Sequence, residues 1–312
     1  MSETRGTVVF GMNNIFTVRV GETRLECRIK GKKLKDAPDE YNVLSPGDVV
    51  LLESVDRIAR SAMITARDQR ANRFVRWNRK RQSVQTIAAN LDAVLCIVSA
   101  HSPPFRPRFA DRVGAICELE HVPFMVVLNK IDQGPDNETE RRIRWYEDLG
   151  YTVIRTSARD GRGIAALATT VKGKRVAFIG QSGAGKSTIL NALFPGAEQR
   201  TGGISSKYNR GRHVTNVAAL FELDELAVID TPGIREIDLY PRTPREIASA
   251  FVEFRRYDAG CPFPGCTHVH EPACAVRDAA ETGRIHPDRY TSYLGILQDR
   301  ELSRRLAGDF SK

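Results

Sequence analysis

The chain has 312 residues, 47 Lys and Arg against 38 Asp and Glu, and a formal net charge of +9, with a pI near 9.4. That length leaves room for two or three domains, and no window approaches the roughly 18 consecutive apolar residues of a membrane span. The N-terminus Met1–Gly6 lacks the basic-then-apolar pattern of a signal peptide. A cytoplasmic protein with no membrane role is therefore expected, and it is expected to be a monomer. The charge favours a polyanionic partner, nucleic acid before an acidic lipid surface. Six cysteines in such a chain argue for metal or core roles rather than disulfides.

Residues 1 to about 66 read as β. Thr7–Phe10, Ile15–Val20, Arg24–Lys30, Val49–Glu53 and Ser61–Ala66 are short alternating or β-branched runs, separated by turn signals such as Asn13-Asn14 and Ser45-Pro46-Gly47-Asp48. Five short strands in that length predict a small closed barrel, OB-like or SH3-like. The basic loop Lys30–Lys35 reads as a solvated turn. From Arg57 to Arg81 the chain carries nine Lys and Arg and one acid, Asp68, with Phe74 and Trp77 interleaved. Such a run suits phosphate contacts with base stacking; the other reading is a solvated linker helix whose aromatics dock on a neighbour.

Next, Ala88–Val98 reads as a buried strand, Phe109–Leu119 as a helix, and Pro123–Leu128 as a second buried strand ending in Asn129-Lys130-Ile131-Asp132. Arg141–Leu149 is helical, Thr152–Ile154 a strand, and Thr156-Ser157-Ala158 follows. Alternating strands and helices imply a parallel, doubly wound sheet, whose ligands sit at the carboxyl ends of strands. Arg175–Ile179 is another strand, running into Gly180-Gln181-Ser182-Gly183-Ala184-Gly185-Lys186-Ser187-Thr188 and then a helix start at Ile189. This is the strand, glycine turn and helix that cradle a phosphate chain on backbone N–H groups. Lys186 can reach the β- and γ-phosphates, and the Ser187 hydroxyl can bind Mg²⁺.

The Asp132 carboxylate can accept from guanine N1–H and the exocyclic amine, donors that adenine does not present together. Asn129 can bond the O6/N7 edge, Lys130 can cover the ring, and the Ser157-Ala158 backbone can meet O6. With a phosphate loop in the same chain, GTP is the expected nucleotide. Downstream, Leu226–Ile229 leads into Asp230-Thr231-Pro232-Gly233. Asp230 suits the Mg²⁺ shell, and the Gly233 N–H can bond the γ-phosphate and register its loss. Between them, the glycine- and serine-rich Thr201–Asn216 reads as a mobile switch, with Thr215 as a Mg²⁺ and γ-phosphate ligand. Ile234 stands where many GTPases place a water-orienting glutamine. Hydrolysis is therefore expected to need help, from His213 on the switch or from a partner. The guanine element precedes the phosphate loop, the reverse of the ordinary order, so the domain is a circularly permuted α/β P-loop GTPase.

The last cluster is Cys261-Pro-Phe-Pro-Gly-Cys266-Thr-His268-Val-His270-Glu-Pro-Ala-Cys274. Its spacing can close a tetrahedral S₃N site suited to structural Zn²⁺, with His268 or His270 as the nitrogen ligand. Helices flank it at Thr243–Tyr257 and Ala275–Thr282, while Cys27, Cys96 and Cys117 lie in apolar runs and read as core. The expected division is a barrel over 1–70, a basic linker over 71–84, the permuted GTPase domain over 85–240 and a mostly helical zinc domain over 241–312.

Over nearly its whole length the chain resembles the small-ribosomal-subunit-dependent GTPases, the RsgA or YjeQ family. The likeness lies in Ala89–Asp92, Asn129–Asp132, Gly180–Thr188, Ile204–Lys207, Arg210–His213, Asp230–Ile234, Cys266-Thr267-His268 with Glu271-Pro272 and Cys274, and Arg289–Tyr293. The resemblance implies an N-terminal OB barrel, a permuted GTPase domain and a C-terminal zinc domain in which His268 is the ligand. It also implies a late assembly factor that binds ribosomal RNA, with GTP hydrolysis stimulated by the small subunit and driving release. The family usually reads His-Thr-Thr where this chain has His213-Val214-Thr215, which leaves Thr215 as the Mg²⁺ ligand.

Overall fold

A computed structural model describes residues 4–31, 34, 40–194, 218–223, 226–234 and 237–309. The first five strands are β1 (Thr4–Met12), β2 (Ile15–Val20), β3 (Thr23–Ile29), β4 (Val49–Asp56) and β5 (Ser61–Arg67), closed into a barrel in the order β1-β2-β3-β5-β4. Alternation explains the closure: in β3, Leu25 and Cys27 point inward while Arg24, Glu26 and Arg28 face water. Val8, Val18, Val50 and Ile64 fill the barrel with them, and burial pushes the Cys27 thiol up to about 11.

Residues 71–84, expected as a basic linker, carry most of a β-hairpin instead: β6 (Arg73–Asn78) pairs antiparallel with β7 (Ser83–Ala89). Phe74 is fully buried in the core rather than offered to a base. The local charge pattern misleads because the counterions come from elsewhere in the chain. Arg70 bonds Asp48 at 2.7 Å and Glu40 at 3.1 Å. Arg73 bonds Glu40 at 2.5 Å and Glu120 at 2.9 Å.

The central sheet holds β8 (Ala93–Ser99), β9 (Phe124–Asn129), β10 (Thr152–Arg155), β11 (Arg175–Gly180), β12 (Ala219–Leu223) and β13 (Leu226–Asp230), in the order β10-β9-β8-β11-β13-β12. All neighbours are parallel except the edge strand β12. Helices α1 (Pro107–Leu119), α2 (Asn137–Asp148), α3 (Ile164–Val171) and α4 (Lys186–Leu193) cover it. Every residue of β8 is buried, because Val94, Cys96 and Val98 join a core with α1 and α2, while Leu95 and Ile97 face α3 and α4. The barrel packs β1 against β12, and Arg19 of β2 pairs with Glu222 at 2.5 Å.

The C-terminal part is α5 (Pro244–Ser249), a 3₁₀ turn at Val252–Phe254, α6 (Arg255–Asp258), α7 (Ala275–Glu281) and α8 (Pro287–Asp309). One helix over 243–257 was the expectation. It starts as read, with a capping box between Thr243 and Glu246. It breaks at Phe251, whose extended backbone (φ −97°, ψ 94°) lets both Phe251 and Phe254 enter the core, stacked at 5.2 Å. Among the described residues no helix is long and apolar enough to cross a membrane.

Candidate functional site

The carboxyl ends of β8, β9, β10, β11 and β13 open on one edge of the sheet, and the loops that leave them meet there. The phosphate loop leaves β11 at Gly180, where a Cβ would lie 2.4 Å from Ile97 O of the neighbouring strand. Gly185 sits at φ +94°, a left-handed turn into α4, with its α-carbon facing the Asn129 amide. Inside the loop the Lys186 ammonium donates to Gly180 O at 2.8 Å and to Gln181 O at 3.3 Å. Burial pushes its pKa down, and the nearby Asp230 carboxylate opposes that. Ser187 and Thr188, in the first turn of α4, are exposed.

Asn129 ends β9 and joins three motifs that lie far apart in sequence. Its Nδ2 donates to Ala184 O of the phosphate loop at 3.0 Å, and its Oδ1 accepts from Ala158 N at 3.2 Å and from the Thr156 hydroxyl at 3.2 Å. Lys130 follows in the left-handed conformation (φ 62°), reversing the chain so that Ile131 and Asp132 form a 3₁₀ turn. Ile131 N donates to Thr156 O at 3.2 Å. The Asp132 carboxylate accepts from the buried Ser157 hydroxyl at 2.9 Å. Ser157 therefore orients Asp132 through its side chain, a role separate from the backbone contact expected of it.

Asp230 ends β13 beside this loop. Its Oδ1 is buried and has no hydrogen-bond partner among the described residues. Burial pushes its pKa up to about 6 even with the Lys186 ammonium near. An orphaned carboxylate oxygen beside a phosphate loop fits a hydrated Mg²⁺, which would satisfy it. The Thr231 hydroxyl donates to Phe178 O at 2.7 Å and Ile234 N to Gly180 O at 3.3 Å. Gly233 lies so close to Ser182 that a Cβ would approach its α-carbon to 2.9 Å. The Ile234 side chain is buried and offers nothing polar to a water. His213 and Thr215, with the rest of the switch, lie outside the described residues.

In the C-terminal part, Cys261, Cys266, His268 and Cys274 hold their ligand atoms within 4.8 Å of one another. Tetrahedral coordination by thiolate and imidazole implies edges of roughly 3.8 Å for S···S and 3.5 Å for S···N. Observed are 3.9 Å for Cys261–Cys274, and 3.6 Å and 3.4 Å from His268 Nδ1 to Cys261 and Cys274. These four residues can hold a metal ion, whereas His270 is exposed and outside the group. His268 Nε2 lies 3.4 Å from the Asp258 carboxylate, the kind of outer partner that sets a ligand's tautomer. Glu271 gathers the loop by accepting from Thr267 N at 2.7 Å, the Thr267 hydroxyl at 2.6 Å and Val269 N at 3.1 Å.

Three contributions escape a reading of motifs. The loop after β8 lies over the site, where Ser102 O accepts from Lys130 Nζ at 2.5 Å. Asp238, beyond Gly233, is held by Arg79 at 2.6 Å while its carbonyl accepts from Trp77 N at 2.9 Å. Asp111 of α1 sits fully buried in an ionic network with Arg142, Arg289 and Glu253. None leaves a plain trace in the sequence: α1 also carries Arg108, Arg112 and Glu118, and only packing sets the buried Asp111 apart from them.

The RsgA GTPase family model matches residues 67–240. The small ribosomal subunit biogenesis GTPase RsgA of Borreliella burgdorferi (strain ZS7) is 37% identical over 294 residues, covering 94% of this chain and 95% of that protein. The crystal structure of YjeQ from Thermotoga maritima superposes with a TM-score of 0.72 at 29% identity, covering 96% of this chain and 99% of that one. The crystal structure of YloQ, described as a circularly permuted GTPase, superposes with a TM-score of 0.69 at 24% identity, covering 96% of each chain, a likeness of fold alone.

Proposed function

The chain belongs to the RsgA GTPase family, and on that premise we propose that it is a cytoplasmic GTP hydrolase acting late in maturation of the small ribosomal subunit. The observation that carries the nucleotide assignment is Asn129, whose one amide ties the guanine element to both the phosphate loop and the Ser157-Ala158 loop. In this reading Asp132 accepts from the guanine N1–H and amine, Lys130 covers the ring, and Gly180–Thr188 cradles the phosphates. Lys186 leaves its two loop carbonyls for the β- and γ-phosphate oxygens. Ser187 and Thr215 would hold Mg²⁺ with Asp230 in its outer shell, and the ion would neutralise charge on the phosphates.

Hydrolysis depends on help because Ile234 is apolar and packed into the core. His213 is the residue proposed to orient the attacking water, once the bound subunit orders the switch. Loss of the γ-phosphate releases Gly233, and the permuted order sends that change along the chain through Asp238 into the metal-bearing arm. Release from ribosomal RNA follows hydrolysis. Turnover assayed with purified small subunits, large subunits and neither tests this. A large increase with small subunits alone is expected, and equal rates in all three would overturn it.

The metal in the Cys261, Cys266, His268 and Cys274 site is proposed to be one structural Zn²⁺. Three sulfurs and one imidazole nitrogen at tetrahedral spacing support this, with the Cys266 and Cys274 thiols buried. A chelator strong enough to strip Zn²⁺ is expected to lower the thermal midpoint of the C-terminal part by 10 °C or more, on the order of 2 kcal/mol or above. Stoichiometric zinc released on thiol modification would accompany it; a protein with one equivalent of iron and no zinc would refute the assignment.

A further inference from the structure

The nine cations of residues 57–81 are used unequally by the fold. Arg67, Arg70 and Arg73 are paired with Glu40, Asp48 and Glu120, and Arg76 donates to the Gln85 side chain at 2.9 Å. Lys80 and Arg81 are exposed in the β6–β7 turn. That turn stands at the rim of an open groove of about 630 Å³, into which Arg79, Arg106, Arg108 and Arg112 all project. Gln181 of the phosphate loop and Ile237 of the segment after Gly233 form part of its wall.

Two of the groove's arginines already have carboxylate partners: Arg79 with Asp238 at 2.6 Å and Arg112 with Asp299 at 2.5 Å. Arg106 and Arg108 are exposed, and neither they nor Lys80 and Arg81 make an ion pair among the described residues. Asp288 is the remaining acid of the groove, so positive charge is in excess along this rim. Half-buried Phe105 lies on the same wall. Unpartnered cations beside an aromatic ring match an unpaired nucleic-acid strand, whose phosphates take the cations and whose bases stack. An acidic protein segment would use the charges but not the ring.

We propose that Lys80, Arg81, Arg106 and Arg108 form a docking surface for the phosphate backbone of single-stranded RNA, laid along the groove beside the phosphate loop. The surface gives the RNA of the small subunit direct access to Gln181 and to the segment that follows Gly233. In that respect it rests on the subunit-dependent reading above, and its test separates the two.

The experiment compares the full chain with the fourfold variant Lys80→Ala, Arg81→Ala, Arg106→Ala, Arg108→Ala. Binding of a labelled twelve-nucleotide single-stranded RNA is titrated across a salt series, beside GTP affinity and turnover with and without small subunits. The variant should bind RNA at least tenfold more weakly, and the slope of log K against log salt should flatten by about 3. GTP affinity and unstimulated turnover should match the parent, because none of the four touches the nucleotide machinery, while subunit-stimulated turnover falls severalfold. An unchanged salt slope would overturn the surface. So would poly-glutamate competing as well as RNA of equal charge, which would assign the groove to an acidic protein. If the parent protein shows no subunit stimulation yet the slope still flattens, the surface stands and the functional reading falls.

Discussion

Replacing Arg289 with methionine is expected to destabilise the protein by about 3–5 kcal/mol, the cost of leaving a buried charge without its partner. Arg289 is 2% exposed, and its guanidinium donates to Glu253 at 2.6 and 2.9 Å and to Asp111 at 3.0 Å. Asp111 also accepts from Arg142 at 2.5 Å, Tyr146 at 2.6 Å and Ser292 at 2.5 Å. Two acids and two bases balance, so the network tolerates burial only while complete. Without Arg289, Glu253 has no cation in the network within reach, and α8 loses its buried ion pair to α1.

Urea denaturation of Arg289→Met measures this, and a loss below about 1 kcal/mol, the scale of a surface pair, would show the network to be dispensable. Adding Glu253→Gln should recover part of the loss. Acid probes the same contacts. Burial opposes the Asp111 charge, yet Arg289 and Arg142 hold its pKa below the ordinary carboxylate value. A depressed carboxylate contributes stability above its unfolded pKa, so that contribution should disappear as pH falls below about 4.

Asp132→Asn is expected to weaken GTP binding about 100-fold, the loss of roughly 3 kcal/mol when a charge-assisted pair of hydrogen bonds is removed. The side chain is nearly isosteric and Asn can still take the bond from Ser157 that now holds Asp132 at 2.9 Å, so the fold should not respond. Xanthosine triphosphate presents a carbonyl where GTP presents the amine, and the Asn amide can donate to it. The variant should therefore bind xanthosine triphosphate more tightly than GTP. Nucleotide titrations read both effects, and an unchanged GTP affinity would mean that Asp132 does not select the base.

How much of this could be read from the residues differs from place to place. The barrel strands were legible because a half-buried strand alternates, as Leu25 and Cys27 do against Arg24 and Glu26. The motifs proposed as phosphate loop and guanine element, and the Asp230–Gly233 turn, stand out in the sequence because their chemistry dictates residue types at short spacing. Spacing admits either His268 or His270, and the preference for His268 comes from the family resemblance; in the structure His268 is the one grouped with the three sulfurs. The β6–β7 hairpin was misread as a linker because its positive charges find their acids at Glu40, Asp48 and Glu120. Edge strand β12 went unread, lying just beyond the polar switch and pairing antiparallel in an otherwise parallel sheet.

By itself, the sequence pointed to the nucleotide chemistry, the permuted order of its motifs and the three cysteines of the candidate metal site, because each is a short local pattern. Tertiary structure alone decided that Asn129 would join three separate loops. It also decided which arginines are neutralised and which face the groove, and that Asp111, Glu253 and Arg289 would tie the C-terminal arm to the GTPase domain. Those outcomes depend on partners some 20 to 180 residues apart. Local patterning records which side chains are charged or apolar, but only packing brings distant charges within a few ångströms, where their pairing takes effect.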